Sequence, residues 1–502
     1  MLTERELFRS KLKLFLDKGN IDEAMALVQV STLIQIDFII QWFFYHLERS
    51  KERKHWITFW EKLLYSDIGL DKLNLQNEWI TYSIHNIVSK ESRDLLLILF
   101  QHLNATSENQ LVNEILKHHE CVRVATGLLM LIKTTFPTVT KTLYEKLIHA
   151  SCNHYNRSLL QRLKEMEQSL ECQFTLSNLT PKQNAIYDKL MSIDRKKASF
   201  IYTKICPFIT GFGNIEYISG LLALAERKAR KHYTFNPTLI DRYFTEQTGG
   251  EFPDYLNTLK QAPKPLTELF VCTGSHWIAG TINITQDNVV RVLFLDPLGS
   301  SQLYATTIKA IFIFDTIFPN SHIFVAEEQR LHGSAGCSVF ALDDVAHLAT
   351  LRLEDKYKQS GLFGYLEDTP HKIRYIQDIT DDSKIVEIIE CKTPLSLTRT
   401  MQSTQLIQKI IPERSEDEQR QPINKKGETA AESSSKFFQP RVDNPSKIQN
   451  QRLEYKLSKM ADHLFDFLFT HSQEEIEALI QEATLEKFNE RMQNNLTFSP
   501  KF

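Results

Sequence analysis

The stretch EEQRLHGSAGCSVFALDDVAHL, residues 327–348, sets a run of small residues and a cysteine directly ahead of an apolar helical pattern. A buried cysteine usually fills space as a small hydrophobe. One that opens a helix instead meets unpaired backbone N–H groups and the positive end of the helix dipole, and both favour thiolate. Cys337 therefore reads as a candidate nucleophile. A nucleophilic thiol needs a base, and the base needs a carboxylate to fix its tautomer and stabilise the imidazolium. His276, in the strand-like run ELFVCTGSHWIAGTINI (268–284), and Asp296, at the end of VVRVLFLDPLG (289–299), fit those two roles, because a strand pair would hold them side by side. Gln329, eight residues before the cysteine, adds an amide donor that with the backbone N–H groups of 335–337 would hold an oxyanion. Each residue alone also fits a structural role: a histidine satisfied inside a strand, an aspartate closing a turn, a cysteine in the core.

The composition narrows the classes. At 502 residues the chain exceeds one ordinary core, so two or three domains are expected. A net charge of −3 gives no reason to expect a general attraction to nucleic acid. Seven cysteines, scattered and without CxxC pairs, argue against a disulfide framework and a structural metal site, and for a reducing compartment. The greasiest run, STLIQIDFIIQWFFY (31–45), is broken by Gln and Asp well short of the roughly 20 apolar residues of a membrane span, so no integral membrane segment is expected.

Four regions follow from the pattern. Residues 1–175 read as an all-helical array or bundle with a regulatory or partner-binding role, with Asn20 as one N-cap and Ser107 to Gln110 as a capping box. Residues 176–411 read as an α+β core, a short mixed sheet flanked by helices, opened by a helix with Thr180 at its N-cap, Pro181 at its first position and Gln183 at N3. Residues 412–450, rich in charge, Ser, Gln and Pro, read as a disordered linker. Residues 451–502 return to an amphipathic helix with Leu453, Leu457, Met460, Leu464, Phe467 and Leu468 on one stripe. Inside the core, AERKARKHYTF (225–235) gathers Arg227, Lys228, Arg230 and Lys231, a density that reads as a solvated helix face or as an anion site.

Taken together, SHWIAGTINI, VRVLFLDPLGSS and EEQRLHGSAGCSVFAL resemble the catalytic core of clan CE cysteine enzymes, which place His, Asp or Glu, Gln and Cys in that order. The 20 residues from His276 to Asp296 and the 41 from Asp296 to Cys337 are close to the layout of the YopJ family of bacterial effector acetyltransferases. TPLSLTRTMQSTQLIQKI (393–410) is similar to that family's post-catalytic pattern, with Pro394, Arg399, Gln402 and Ser403 on its marked places. The sequence departs from the pattern at Ser338, where glycine is usual, at Thr400, where histidine is common, and in a Gln329 to Cys337 gap two residues longer than usual.

The resemblance implies a clan CE papain-like core and transfer of acetyl from acetyl-CoA, through a Cys337 thioester, to Ser, Thr or Lys of host proteins. It also implies activation by inositol hexakisphosphate, for which Arg227, Lys228, Arg230, Lys231 and Arg399 are the candidate ligands, and secretion by a bacterial system into the host cytosol. A host protein bound by the N-terminal helices is a further expected partner. Two alternatives remain open: a clan CE isopeptidase acting on ubiquitin-like conjugates, to which His276-Trp277 is also similar, and a non-enzymatic adaptor.

Overall fold

The computed structural model describes residues 4–29, 53–65, 125–127, 129–130, 133, 137–172, 178–210, 215–230, 235–241, 250–331, 336–351, 353, 357, 359–378, 383–398, 400–401, 404–424, 426–440, 448–450 and 452–497. The chain divides into two compact units, Met1–Tyr202 and Thr203–Phe502. The first is helical throughout its described residues: α1 (Glu4–Lys18), α2 (Ile21–Gln29), α3 (Arg53–Tyr65), α4 (Pro137–Asn153), α5 (Arg157–Leu170), α6 (Pro181–Ser192) and most of α7 (Arg195–Thr210). Leu159, Leu160, Leu163 and Met166 of α5 are buried on one face, and the Asn156 side chain accepts from the Leu159 N–H to cap that helix. The expected capping box at Thr180 forms, with the Gln183 side chain returning to the Thr180 N–H and Pro181 in the first turn. The run 31–45 and the box expected at Ser107 lie outside the described residues.

The second unit carries a seven-stranded mixed sheet. Its strands are β1 (Thr238–Ile240), β2 (Leu266–Cys272), β3 (Ile278–Ile284), β4 (Val290–Leu295), β5 (His322–Ala326), β6 (His371–Gln377) and β7 (Ile385–Cys391), in the order β1-β2-β3-β4-β5-β7-β6. The β2–β3, β3–β4 and β6–β7 pairs are antiparallel, and the other three are parallel. The sheet is longer than the short one expected. Its helices are α8 (Tyr217–Arg230), α9 (Phe252–Gln261), α10 (Ala305–Ile317), α11 (Cys337–Leu348), α12 (Gly361–Asp368), α13 (Thr404–Ile410), α14 (Glu416–Arg420), α15 (Ala430–Ser435), α16 (Arg452–Thr470), α17 (Gln473–Gln481) and α18 (Leu485–Thr497), with a small hairpin, Phe438–Pro440 and Ile448–Asn450, between α15 and α16.

Strand alternation divides the sheet's side chains between two faces. On one, Phe270, Ile282, Ile284, Val292, Phe294 and Val325 pack with Tyr255 and Leu256 of α9, Ile311 and Phe314 of α10, and Phe488 and Met492 of α18. The helix that opens with Cys337, α11, lies against β2 and β3. The C-terminal stripe behaves as its spacing implies, with Leu457, Leu464, Phe467 and Leu468 buried. The C-terminal residues go further than one amphipathic helix, because α18 is part of the central core and the Leu239 N–H donates to the Ala483 carbonyl at 2.8 Å.

The stretch 412–450, expected as a disordered linker, is ordered over α14 and α15. Its anchors are few, which explains why composition hid them: Arg414 is buried against Glu328, Thr429 caps α15 with a capping box to Glu432, and Ile423 and Ala430 join Leu395, Met401, Leu406 and Ile410 in a small apolar cluster.

Phe488 is 1 % exposed, its ring centroid 4.7 Å from that of Tyr255. Phe488→Ala should destabilise the second unit by about 3–5 kcal/mol. Chemical denaturation that shows a loss under about 1 kcal/mol would place the C-terminal helices outside the cooperative core.

Candidate active site

The long strand-like run of 268–284 is broken in the structure, and the break is where His276 sits. β2 ends at Cys272 and β3 starts at Ile278, so His276 stands in the connection and not within a strand. Its closeness to Asp296 still comes from strand pairing. Ala279 is opposite Leu295 in the antiparallel β3–β4 register, so the start of β3 and the residue after β4 meet at the same end of the sheet.

His276 and Asp296 are both fully buried. His276 Nε2 and Asp296 Oδ1 are 2.7 Å apart, which leaves Nδ1 as the ring nitrogen available to the thiol. The carboxylate is fixed on every side. Oδ1 also accepts from the Leu298 N–H at 2.9 Å, and Oδ2 accepts from the Thr307 hydroxyl at 2.6 Å. A carboxylate buried without such partners would be costly, whereas one with three can hold the adjacent imidazole. Burial on its own lowers the pKa of His276, but the hydrogen bonds to Asp296 and Cys337, with their charges, outweigh it and raise the imidazole to about 9.

Cys337 is the first residue of α11, as the sequence implies, and is 3 % exposed. Gly336 precedes it at φ 98°, a conformation that glycine adopts without strain and that turns the chain into the helix. The Trp277 N–H donates to the Cys337 sulfur at 3.4 Å, so the residue after the histidine also touches the thiol. The Tyr304 ring lies over His276 with centroids 5.1 Å apart.

Two loops hold this end of the sheet together. The Pro297 carbonyl, one residue beyond Asp296, accepts from the N–H groups of Arg330 and Leu331 at 2.8 and 2.9 Å. Gly299 lies so close to this segment that a Cβ there would sit 2.8 Å from the Gln329 nitrogen and the Glu327 oxygen. Gln329 itself donates its amide to the Leu331 carbonyl at 3.2 Å and to Gln302 at 3.4 Å, so an oxyanion role requires release of those bonds.

Arg330, fully enclosed, makes a bidentate pair with Asp344 of α11 at 2.5 and 2.7 Å. Burial holds the Asp344 carboxyl above the ordinary range even though Arg330 pulls it down. Asp343, one residue earlier, accepts from the Thr400 hydroxyl at 2.5 Å and from Lys456 of α16 at 2.7 Å.

Composition and spacing did not single out Thr307, Tyr304 or the Arg330–Asp344 pair. Only Asp343 and Asp344, two acids inside the otherwise apolar run VFALDDVAHL of α11, carried a visible signal: an acid buried in an apolar helix must find a cation.

The basic group finds partners within the protein. Arg227 donates to the Leu342 carbonyl at 2.7 Å, Lys228 pairs with Glu482 at 2.9 Å, and Arg230 pairs with Glu226 at 2.5 Å. Lys231, Arg399, Gln402 and Ser403 lie outside the described residues. Among the described residues no cluster of three or more His, Cys, Asp or Glu is arranged to hold a metal, and no helix is long and apolar enough to cross a membrane.

Residues 221–462 match the family model described as YopJ Serine/Threonine acetyltransferase. These residues belong to the YopJ family. The matched span runs from α8 to α16 and contains His276, Asp296 and Cys337. No curated protein matches the chain. Among solved structures, a variant of AvrA with IP6 and CoA is 14% identical, with 62% of this chain and 98% of that one covered at a TM-score of 0.34. HopZ1a in complex with IP6 is 9% identical, with 56% and 95% covered at a TM-score of 0.36. The YopJ region thus combines a family-level sequence match with a buried histidine–carboxylate pair beside a helix-opening cysteine.

Removing one member of the Arg330–Asp344 pair should cost far more than removing both. Asp344→Ala strands a buried guanidinium and is expected to destabilise the second unit by about 3–5 kcal/mol, while Arg330→Met combined with Asp344→Leu recovers most of that loss. Urea melts in which the double variant is as unstable as the sum of the singles would contradict this reading.

Proposed function

We propose that this protein is an effector acetyltransferase that moves acetyl from acetyl-CoA, through Cys337, to Ser, Thr or Lys of host proteins. The observation that carries the reading is the buried Asp296–His276 bond beside Cys337, within the YopJ-family region. His276 takes the thiol proton, and the Cys337 sulfur attacks the acetyl carbonyl. The tetrahedral intermediate collapses with cleavage of the carbonyl–sulfur bond to CoA, and the imidazolium returns its proton to the departing CoA sulfur. An acceptor hydroxyl or amine then attacks the acetyl-enzyme while His276 takes its proton, and the proton passes back to Cys337 as that thioester breaks. Asp296 keeps one ring nitrogen bonded throughout, so the ring cannot rotate out of line. The backbone N–H groups at the start of α11 are the nearest donors for the oxyanion.

Inositol hexakisphosphate is the proposed activator, consistent with its presence with AvrA and HopZ1a. Lys231 and Arg399 are candidate ligands, and Arg227, Lys228 and Arg230 would exchange protein partners for phosphate. Thr400 offers a path for the signal, because it follows Arg399 and its hydroxyl bonds Asp343 on the nucleophile helix. Delivery into a host cell belongs to the same proposal, as does a host partner for the first unit's helices.

Intact-mass spectrometry after mixing with acetyl-CoA separates the readings. One added acetyl that is lost in Cys337→Ala and that accumulates faster with inositol hexakisphosphate is expected. Release of a fluorophore from a ubiquitin-like conjugate without any acetyl addition would instead establish the isopeptidase, and neither activity would leave the adaptor.

A further inference from the structure

β6 is the last strand of the sheet, and among the described residues no strand pairs with its outer edge. Five consecutive residues, His371 to Tyr375, are exposed. A strand edge is a row of unpaired N–H and C=O groups, and proteins usually blunt it with charge or a covering segment. Glu387 of β7 accepts from the Tyr375 hydroxyl at 3.0 Å, but within β6 itself charge lies on one face alone. On the other, Ile373 and Tyr375 are 58% and 65% exposed, and Ile385 of the neighbouring β7 is 63% exposed. Three large apolar side chains open to solvent on one hairpin are what a strand-addition surface presents.

The opposite face leads toward the site. Lys372 and Arg374 line a cavity of about 590 Å³ whose wall also includes Lys392, Lys409, Ser300 and Gln329. Ser300 follows the turn after Asp296, and Gln329 belongs to the segment that runs to Cys337, so the cavity borders both loops of the active site. Several of its charges are already matched: Arg374 pairs with Glu390 at 3.0 Å and donates to the Ser300 carbonyl, and Lys392 lies 3.5 Å from Glu413. Lys372 and Lys409 are both exposed and make no ion pair among the described residues. Glu327, Glu328, Glu390 and Glu413 line the same wall, and Glu327 feels Lys372 as well as Lys392, so the five cations Lys372, Arg374, Lys392, Lys409 and Arg414 leave a surplus of one positive charge.

We infer that the outer edge of β6 receives an extended, acidic segment of the acceptor protein as an eighth strand. Its alternate side chains would fall in two rows, acids toward Lys372 and Lys409, and apolar residues over Ile373 and Tyr375. A second copy of this chain is the poorer occupant, because two β6 edges brought together set Lys372 and Arg374 against their own kind. The inference deepens the acyl-transfer reading, since the segment is taken to belong to the acceptor, but binding at the edge is measured without turnover.

The probe is a fluorescent, end-capped peptide of alternating valine and glutamate, with twins that carry lysine for glutamate or N-methyl groups on alternate amides. Anisotropy with the full chain should show binding of the glutamate peptide alone, and Lys372→Glu with Lys409→Glu should weaken it about tenfold or more and favour the lysine peptide. Tyr375→Lys should weaken it as well, and because Tyr375 is exposed the melt should stay unchanged. Equal binding of the glutamate and lysine peptides overturns the inference. So does undiminished binding of the N-methylated peptide, which would exclude strand pairing. A concentration-dependent dimer in sedimentation that Tyr375→Lys abolishes also overturns it, in favour of self-association. If the peptide binds as stated and Cys337 takes up no acetyl from acetyl-CoA, the edge stands and the acyl-transfer reading falls.

Discussion

The bond between Asp296 and His276 is the constraint on which this end of the molecule depends. Both side chains are fully buried, and a carboxylate out of water is tolerated only when its lone pairs are engaged. Asp296 meets that condition with His276, the Leu298 N–H and the Thr307 hydroxyl, groups drawn from the β2–β3 connection, its own turn and α10. A sheet register that brings the start of β3 to the end of β4 is thus also a register that lets the histidine be charged. A one-residue slip would send Asp296 to the other face, away from Thr307.

Around that bond the helix that opens with Cys337, α11, is tied at two points. Arg330 joins the preceding loop to α11 through Asp344, and Asp343 joins α11 to Thr400 and to Lys456 of α16. Neighbouring acids on one helix therefore connect Cys337 with the loop before it, the segment after β7 and the C-terminal helices. Buried pairs of this kind add little net stability over well-packed apolar residues, and their value lies in allowing few arrangements. Such a device suits a helix whose first residue must sit within reach of an imidazole.

Much of this was legible in the sequence because it is local. Cys337 at a helix start follows from HGSAG ahead of an apolar helical run, and Asp296 at a strand end from LDPLG. The Thr180 capping box follows from Thr-Pro-Lys-Gln alone. What escaped depends on long-range partners. The 268–284 run looked like one strand because both of its halves are apolar, and only the antiparallel pairing of those halves with each other, Cys272 opposite Ile278, shows that it turns over Thr273 to Trp277. The 412–450 stretch looked unstructured because its order rests on Arg414 reaching Glu328, 86 residues earlier. The basic run at 227–230 suggested a ligand, yet two of its charges answer Glu226 and Glu482, the second of them 254 residues from Lys228.

Nuclear magnetic resonance titration of the His276 ring nitrogens tests the account most directly. A histidine raised to about 9 stabilises the fold fully below its unfolded value near 6.5, and that contribution is lost as the pH rises through about 9. The wild-type ring should therefore titrate near 9, and Asp296→Asn should lower that value. A ring that titrates at or below 6.5 with Asp296 intact, or one indifferent to Asp296→Asn, would contradict the claim that this pair organises the site.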